Sequence, residues 1–226
     1  MQPTYKLYGF FIGLLVTIMI TCDTLVYKFY DIYHLKITAS GIIFSFCFLL
    51  STLLTEVYGY KLAVRSVWIM VFSQTVYVLL LNLTSVIQVN NNAISESYYI
   101  IYHDFWRVML GTWLSVPISY FINGVIISKM KIAFSGRCFL VRYVIGAMIT
   151  QAALLISAYP ISLSGKYEFI DLANIIMTTW SYKIVMAIIL LPVAVFLVRM
   201  VKKIEKTDHY DWGTSYNPLK AFSSNK

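Results

Sequence analysis

The side chains in this chain that could do chemistry are few, and most stand alone inside long apolar stretches. Gln74, Asn123 and Gln151 are amides, each presenting a donor and an acceptor together. Such a set can read the edge of a flat polar molecule without the desolvation cost of burying an ion. Asn82 lies further along the same stretch as Gln74, and Asp23 and Lys183 close and open two other stretches. Thr52 and Glu56 are four residues apart, so on a helix they share one face. Arg107 and Arg142 stand near the starts of two further stretches. Two readings stay open for these residues. They could hydrogen-bond one helix to another, at about 0.6 kcal/mol each in a membrane bundle, or they could line a polar cavity.

No catalytic constellation accompanies them. There is no Ser/His/Asp arrangement, no His-Glu-x-x-His and no glycine-rich phosphate loop. His34, His103 and His209 have no metal-ligand spacing, and Cys22, Cys47 and Cys138 form no Cys-x-x-Cys pair. The cysteines read as small buried hydrophobes. The expectation is a protein that is not an enzyme, with no metal site and no cofactor.

The elements that must position these residues follow from composition. Of 226 residues, 59% are hydrophobic and 12% charged, and the mean hydropathy is +0.73. A soluble domain carries about 25% charge, and a disordered chain has the opposite bias. The net charge of +8 does not gather on one polar segment, so nucleic-acid binding does not explain it. A polytopic membrane protein remains, with the lipid bilayer as its first partner. A charge at the centre of a span costs about 2.5–3.5 kcal/mol on insertion scales. The charge-free windows Leu7–Cys22, Ile37–Thr55, Ser66–Ser95, Val108–Ser128, Tyr143–Gly165 and Ile184–Val198 therefore mark the spans.

The fold class read from these windows is all-α, a bundle of six transmembrane helices over about 7–27, 37–55, 63–87, 105–128, 138–163 and 179–201. Residues 1–201 form one membrane domain, and 202–226 a cytoplasmic tail. Five of the 18 Lys and Arg (Lys28, Lys36, Arg107, Lys166 and Lys183) fall on one side of this arrangement, and thirteen on the side of the termini. The positive-inside rule then puts both termini in the cytoplasm. The first stretch is read as a retained helix, since Lys6 alone forms its basic flank and no small-x-small site precedes Asp23. Gly9-x-x-x-Gly13 and Ser115-x-x-x-Ser119 have the spacing of close helix contacts. Pro117, Pro160 and Pro192 lie within spans and can free backbone groups to line a cavity.

One stretch is more specific than composition. Thr52-Leu-Leu-Thr55-Glu56-Val57-Tyr58-Gly59-Tyr60-Lys61-Leu-Ala63-Val-Arg65 resembles the signature of the queuosine precursor transporter family, also called vitamin-uptake-transporter-like. Further matches follow in order. They are Arg107, Arg142 with Gln151, Lys183 with Pro192, and a tail reading Asp211-Trp-Gly213-Thr214-Ser-Tyr216-Asn217-Pro218. Three family carboxylates are replaced here by Thr52, Asn123 and Leu154.

The resemblance implies a six-span fold related to the substrate-binding subunits of energy-coupling-factor vitamin importers. It implies import of 7-deazaguanine precursors (7-cyano or 7-aminomethyl) across a bacterial inner membrane. Glu56, Arg142, Gln151, Asn123, Gln74, Tyr58, Arg107 and Lys183 are the candidate substrate contacts, and Trp113 or Tyr58 could stack on a flat base. For Glu56, an ion pair with Arg65 bracing the turn stays open beside a role as substrate acceptor or cytoplasmic gate. Arg107, Arg142 and Lys183 are likewise divided between anchoring at the interface and cavity roles. The alternatives to a self-contained importer are a binding subunit docked on an energising ATPase module, and a structural or assembly protein of the membrane. Oligomeric state, coupling ion and exact substrate are left open by the sequence.

Overall fold

The computed structural model describes residues 5–26, 28–32, 35–87, 93–103, 105–162 and 169–222. Seven helices occur among them: α1 (Tyr8–Thr24), α2 (Ala39–Tyr58), α3 (Tyr60–Ser85), α4 (Ala93–Tyr102), α5 (Phe105–Ala133), α6 (Phe139–Ser162) and α7 (Phe169–Glu205). The connection from α1 to α2, expected as a loop, carries an antiparallel hairpin. Its strands are β1 (Phe29–Ile32) and β2 (Leu35–Thr38), with Phe29 opposite Thr38 and Ile32 opposite Leu35. His34 lies outside the described residues.

Five helices are long and apolar enough to cross a membrane: α2, α3, most of α5 and of α6, and α7. The shorter apolar α1 has 17 residues, about 25 Å of rise against a hydrocarbon core near 30 Å. Its last turn ends at Thr24, short of the expected 27.

The middle of the bundle is α2. Of its 20 residues 16 are buried, and α1, α3, α5 and α7 all pack against it. It starts where the Thr38 hydroxyl accepts the Gly41 amide at 3.2 Å, capping the free N–H groups of the first turn. It runs to Tyr58 rather than the expected 55, so Glu56 sits inside the helix. A single residue, Gly59 at φ +85°, turns the chain into α3. A side chain could not follow there, for a Cβ on Gly59 would strike His209 and Asp211.

Two further boundaries differ from expectation. The polar connection after α3 contains α4, an exposed ten-residue helix. The last helix begins at Phe169, ten residues early, because Phe169–Met177 is itself apolar and Asp171 in the first turn suits the helix dipole. Lys183 is thereby carried well inside α7 instead of opening it.

Residues 5–7 and the tail meet at one end of the bundle, hereafter the near end; the hairpin and α4 lie at the far end. Glu205 accepts the backbone N–H of Lys6 at 3.1 Å and of Leu7 at 2.6 Å. The tail is not loose. Pro218–Phe222 forms a 3₁₀ turn against α3, where Trp68 Nε1 donates to the Pro218 carbonyl and Arg65 Nε to that of Ala221.

Helix contact by small residues is used at other positions than expected. A Cβ added to Gly9 or Gly13 would meet nothing within 4 Å, so that pair brings no backbone close. Gly146 of α6, by contrast, lies under the Asn123 side chain of α5, and Gly124 lies under the Tyr60 ring. Ser115 and Ser119 are buried, but their hydroxyls bond back to their own helix at Gly111 and Ser115.

Candidate functional site

The face of α2 that looks into the bundle carries polar groups at helical spacing: Ser51 with Thr55, and Thr52 with Glu56. These groups and the helices around them form layers from the near end outward.

At the near end, the Glu56 carboxylate is gripped by both Nη atoms of Arg142, at 2.5 and 3.2 Å, and by Lys202 Nζ at 2.8 Å. Arg142 and Glu56 are essentially inaccessible to solvent, at 0% and 1% exposure. Two further guanidinium donors are satisfied too, with Nε on the Arg137 carbonyl and Nη2 shared with that of Gly136, both at 3.2 Å. Lys131 Nζ donates to the backbone carbonyls of Glu56 and His209, each at 2.6 Å, and pairs with Asp208. Lys202 reaches Asp208 as well, at 2.8 Å. Three cations and two carboxylates thus tie α2, α5, α6, α7 and the tail together.

Beside this cluster, Asp211 accepts the Tyr60 amide at 3.1 and 3.0 Å, capping α3, and takes the Ser128 hydroxyl at 2.7 Å. Burial works to raise the pKa values of Asp208 and Asp211, but their partners outweigh it. Lys131 and Lys202 hold Asp208, and His209, Ser128 and the Tyr60 amide hold Asp211, below the ordinary carboxylate value.

One layer further in, Asn123 donates to Thr52 Oγ1 at 3.1 Å and more loosely to Ser51 Oγ at 3.5 Å. Its own carbonyl oxygen is buried without a partner. The same holds for Gln151 Oε1, Thr150 Oγ1 and the Tyr143 hydroxyl, all on α6.

Toward the far end lies a second set. Asp23 is 4% exposed and its Oδ2 has no hydrogen-bond partner; both amide atoms of Gln74 are in the same condition. Gln74 is the polar group beside Asp23, though the two fall short of normal hydrogen-bond geometry. Lys183, 5% exposed, makes no ion pair with the described residues; its Nζ lies 4.6 Å from the Phe44 ring centroid. Phe44 packs edge-on to Tyr120, 6.0 Å between centroids, and the Tyr120 hydroxyl has only the Cys47 thiol, a weak partner, for a neighbour.

Among the described residues, eight buried polar side-chain atoms on seven residues are therefore unpartnered, all on α1, α3, α5 and α6. Each such group costs about 1–3 kcal/mol when left unmade, and native interiors leave few of them. These residues concentrate unmet hydrogen bonds inside an otherwise apolar bundle. Two surface depressions, one of about 640 Å³ along α6 and α7 and one between α3 and α4, contain none of these residues.

Gln74, Asn123, Gln151 and Lys183 are all buried inside the bundle, the amides Asn123 and Gln151 in one layer and Gln74 and Lys183 toward the far end. It spends Glu56 and Arg142 on each other at the near end. The expected Glu56–Arg65 pair does not form, because Arg65 points along α3 to the Ala221 carbonyl and the Phe222 ring. Tyr58 is buried among Tyr5 and Tyr8 and donates to Glu205 at 2.9 Å, away from the amides. Arg107 is exposed beside the Trp106 ring. Trp113 is 51% exposed and donates to Thr75. Cys22 and Cys47 are buried as expected, whereas Cys138 is exposed in the α5–α6 turn. Among the described residues no group of His, Cys, Asp and Glu could hold a metal ion. The sequence reading missed Lys131, Lys202, Asp208, Tyr120, Tyr143 and Thr150 as parts of these layers. The buried lysines were absorbed into the topology count, and a tyrosine or threonine in a span carries no signal until its hydroxyl proves unpartnered.

Long apolar helices closed around buried polar side chains define a multi-pass membrane protein. The family model described as "Putative vitamin uptake transporter" matches residues 38–197, from the end of β2 to the last third of α7. The chain belongs to that family. Neither curated proteins nor solved structures gave a significant match.

Proposed function

We propose that the protein is an importer of queuosine precursors, 7-cyano- or 7-aminomethyl-7-deazaguanine, or of a closely related flat heterocycle, in a bacterial inner membrane. The observation that carries this reading is the set of buried, unpartnered amides and hydroxyls inside a bundle of the vitamin uptake transporter family. Amides, hydroxyls and nearby aromatic rings suit a small planar molecule with donors and acceptors around its rim. The resemblance across Glu56–Arg65 and the Asp211–Pro218 tail supports the 7-deazaguanine class.

In this reading α1 is the sixth span, and both termini lie in the cytoplasm, where most Lys and Arg then fall. The ionic cluster around Glu56 is the cytoplasmic closure of an alternating-access cycle, and it must loosen for the substrate to leave. No cofactor of the protein's own is needed.

The test is uptake of labelled 7-deazaguanines by cells that cannot make them, with queuosine in tRNA as the readout. Expression of the protein should restore the modified base. Absence of queuosine together with absence of binding to the purified protein overturns the reading.

A further inference from the structure

On the import reading above, we propose that Asp23 and Lys183 set the polarity of the ligand. Asp23, with Gln74, takes the donor edge of a neutral heterocycle; Lys183 takes an acceptor on the opposite side; Glu56 has no part in recognition.

The argument is one of charge pairing. Among the described residues of α1–α7, two carboxylates are buried, Asp23 and Glu56. Glu56 has no free acceptor capacity of consequence, since Arg142 and Lys202 already occupy its oxygens. Asp23 Oδ2 has no partner at all. The cations divide in the same way. Arg142 and Lys131 are saturated by carboxylates and carbonyls, while Lys183 has only the face of Phe44.

The two unpaired groups lie on helices that both pack against α2. Lys183 Nζ lies over Phe44, one helical turn from Cys47 on α2, and the buried Cys22–Asp23 end of α1 packs against the same helix. Yet Asp23 and Lys183 form no ion pair with each other. Buried ionisable groups without partners are costly, and a ligand spanning the two removes the cost at both ends. A carboxylate accepts two adjacent N–H groups as a fork, which is the pattern of a ring N–H next to an exocyclic amine. An ammonium donates to a carbonyl, nitrile or ring nitrogen. The Phe44 ring, under Lys183 and edge-on to Tyr120, offers an apolar face to a flat molecule.

The full-length protein in detergent is titrated with two probes, a 2-amino-4-oxo 7-deazapurine and the 4-oxo analogue lacking the amine. The wild type should favour the amino compound by about tenfold or more, because a site built to bond an N–H discriminates against its loss. Asp23→Asn should erase that preference, and Lys183→Met should weaken both probes about equally, again by about tenfold. Thermal unfolding of each variant reports whether it is folded, and the wild-type comparison stands without either variant. Equal binding of the two probes by the wild type, or a preference retained in folded Asp23→Asn, overturns the assignment while leaving the import reading intact. Binding of neither probe overturns both.

Discussion

Arg142 grips Glu56 through both guanidinium nitrogens across 86 positions of sequence, and neither side chain meets solvent. The pair joins α6 to the central helix at the near end. Its Lys202 and Lys131 neighbours extend the connection to α7, α5 and the tail. A motif that resembles a substrate signature is therefore occupied, in this conformation, in holding helices together.

Breaking the pair from one side should be much worse than removing it whole. Arg142→Met leaves a buried carboxylate with fewer cations, and one-sided loss of a buried pair costs about 3–5 kcal/mol. The double variant Glu56→Gln, Arg142→Met should recover most of that stability. Unfolding of the detergent-solubilised protein, followed by heat or denaturant, compares the three. Equal destabilisation by the single and double changes would mean the contact is not coupled.

The unpartnered amides make the opposite prediction. Gln74→Leu and Gln151→Leu remove buried polar groups with unmet hydrogen bonds, so each variant should be as stable as the wild type or more so. Uptake should fall by at least about tenfold, the trade expected where a strained polar site serves function. Transport assays on cells with matched amounts of inserted protein test this. Arg107→Gln, at an exposed position, should leave uptake near wild type.

Much of the fold was legible, for one reason: hydrocarbon excludes charge, so gaps between charges draw the helices. That logic located α2, α3, α5 and α6 within a few residues. It was least sharp at α7, where Lys183 was placed at the helix mouth with its role left open between the interface and the cavity, because nothing in sequence distinguishes a lysine at a helix mouth from one buried inside. The polar centre was half legible. Gln74, Asn123 and Gln151 stand out as amides among apolar residues, but which of them lack partners is a property of packing. Partner choice was not legible at all. Arg65 is nine residues from Glu56 and seemed its natural mate in sequence terms; the side chains diverge because α2 and α3 part at Gly59. The tail's docking was invisible as well, since Asp208 and Asp211 look like solvent-exposed residues until Lys131 and the α3 N-terminus are found beneath them.

The tail should release in acid. Asp208 and Asp211 are held below the ordinary carboxylate value by their partners, against the effect of burial. A carboxyl whose folded pKa is depressed stabilises the docked state fully above its unfolded value, about 3.9. That contribution is lost as the pH falls through the folded pKa. Docking should thus be constant at neutral pH and weaken below about pH 4. Protease susceptibility of residues 206–222, or fluorescence of Trp212 and Trp68, follows the release. Asp208→Asn with Asp211→Asn should be loosened already at neutral pH and should show little further change on acidification.

Glu205 and the tail have a consequence for how the molecule is made. Lys6 and Leu7 are among the first described residues to leave the ribosome, and Glu205, which accepts their amides, is among the last. Asp208 and Asp211, which complete the charge cluster and cap α3, follow later still. From the synthesis of α6 until that of the tail the near end therefore holds Lys131, Arg142 and Glu56 without their full complement of partners. The near end becomes sealed only once Glu205 and the tail have been made, so a chain interrupted before them inserts its helices but exposes an unsealed ionic face to the quality-control proteases of the membrane.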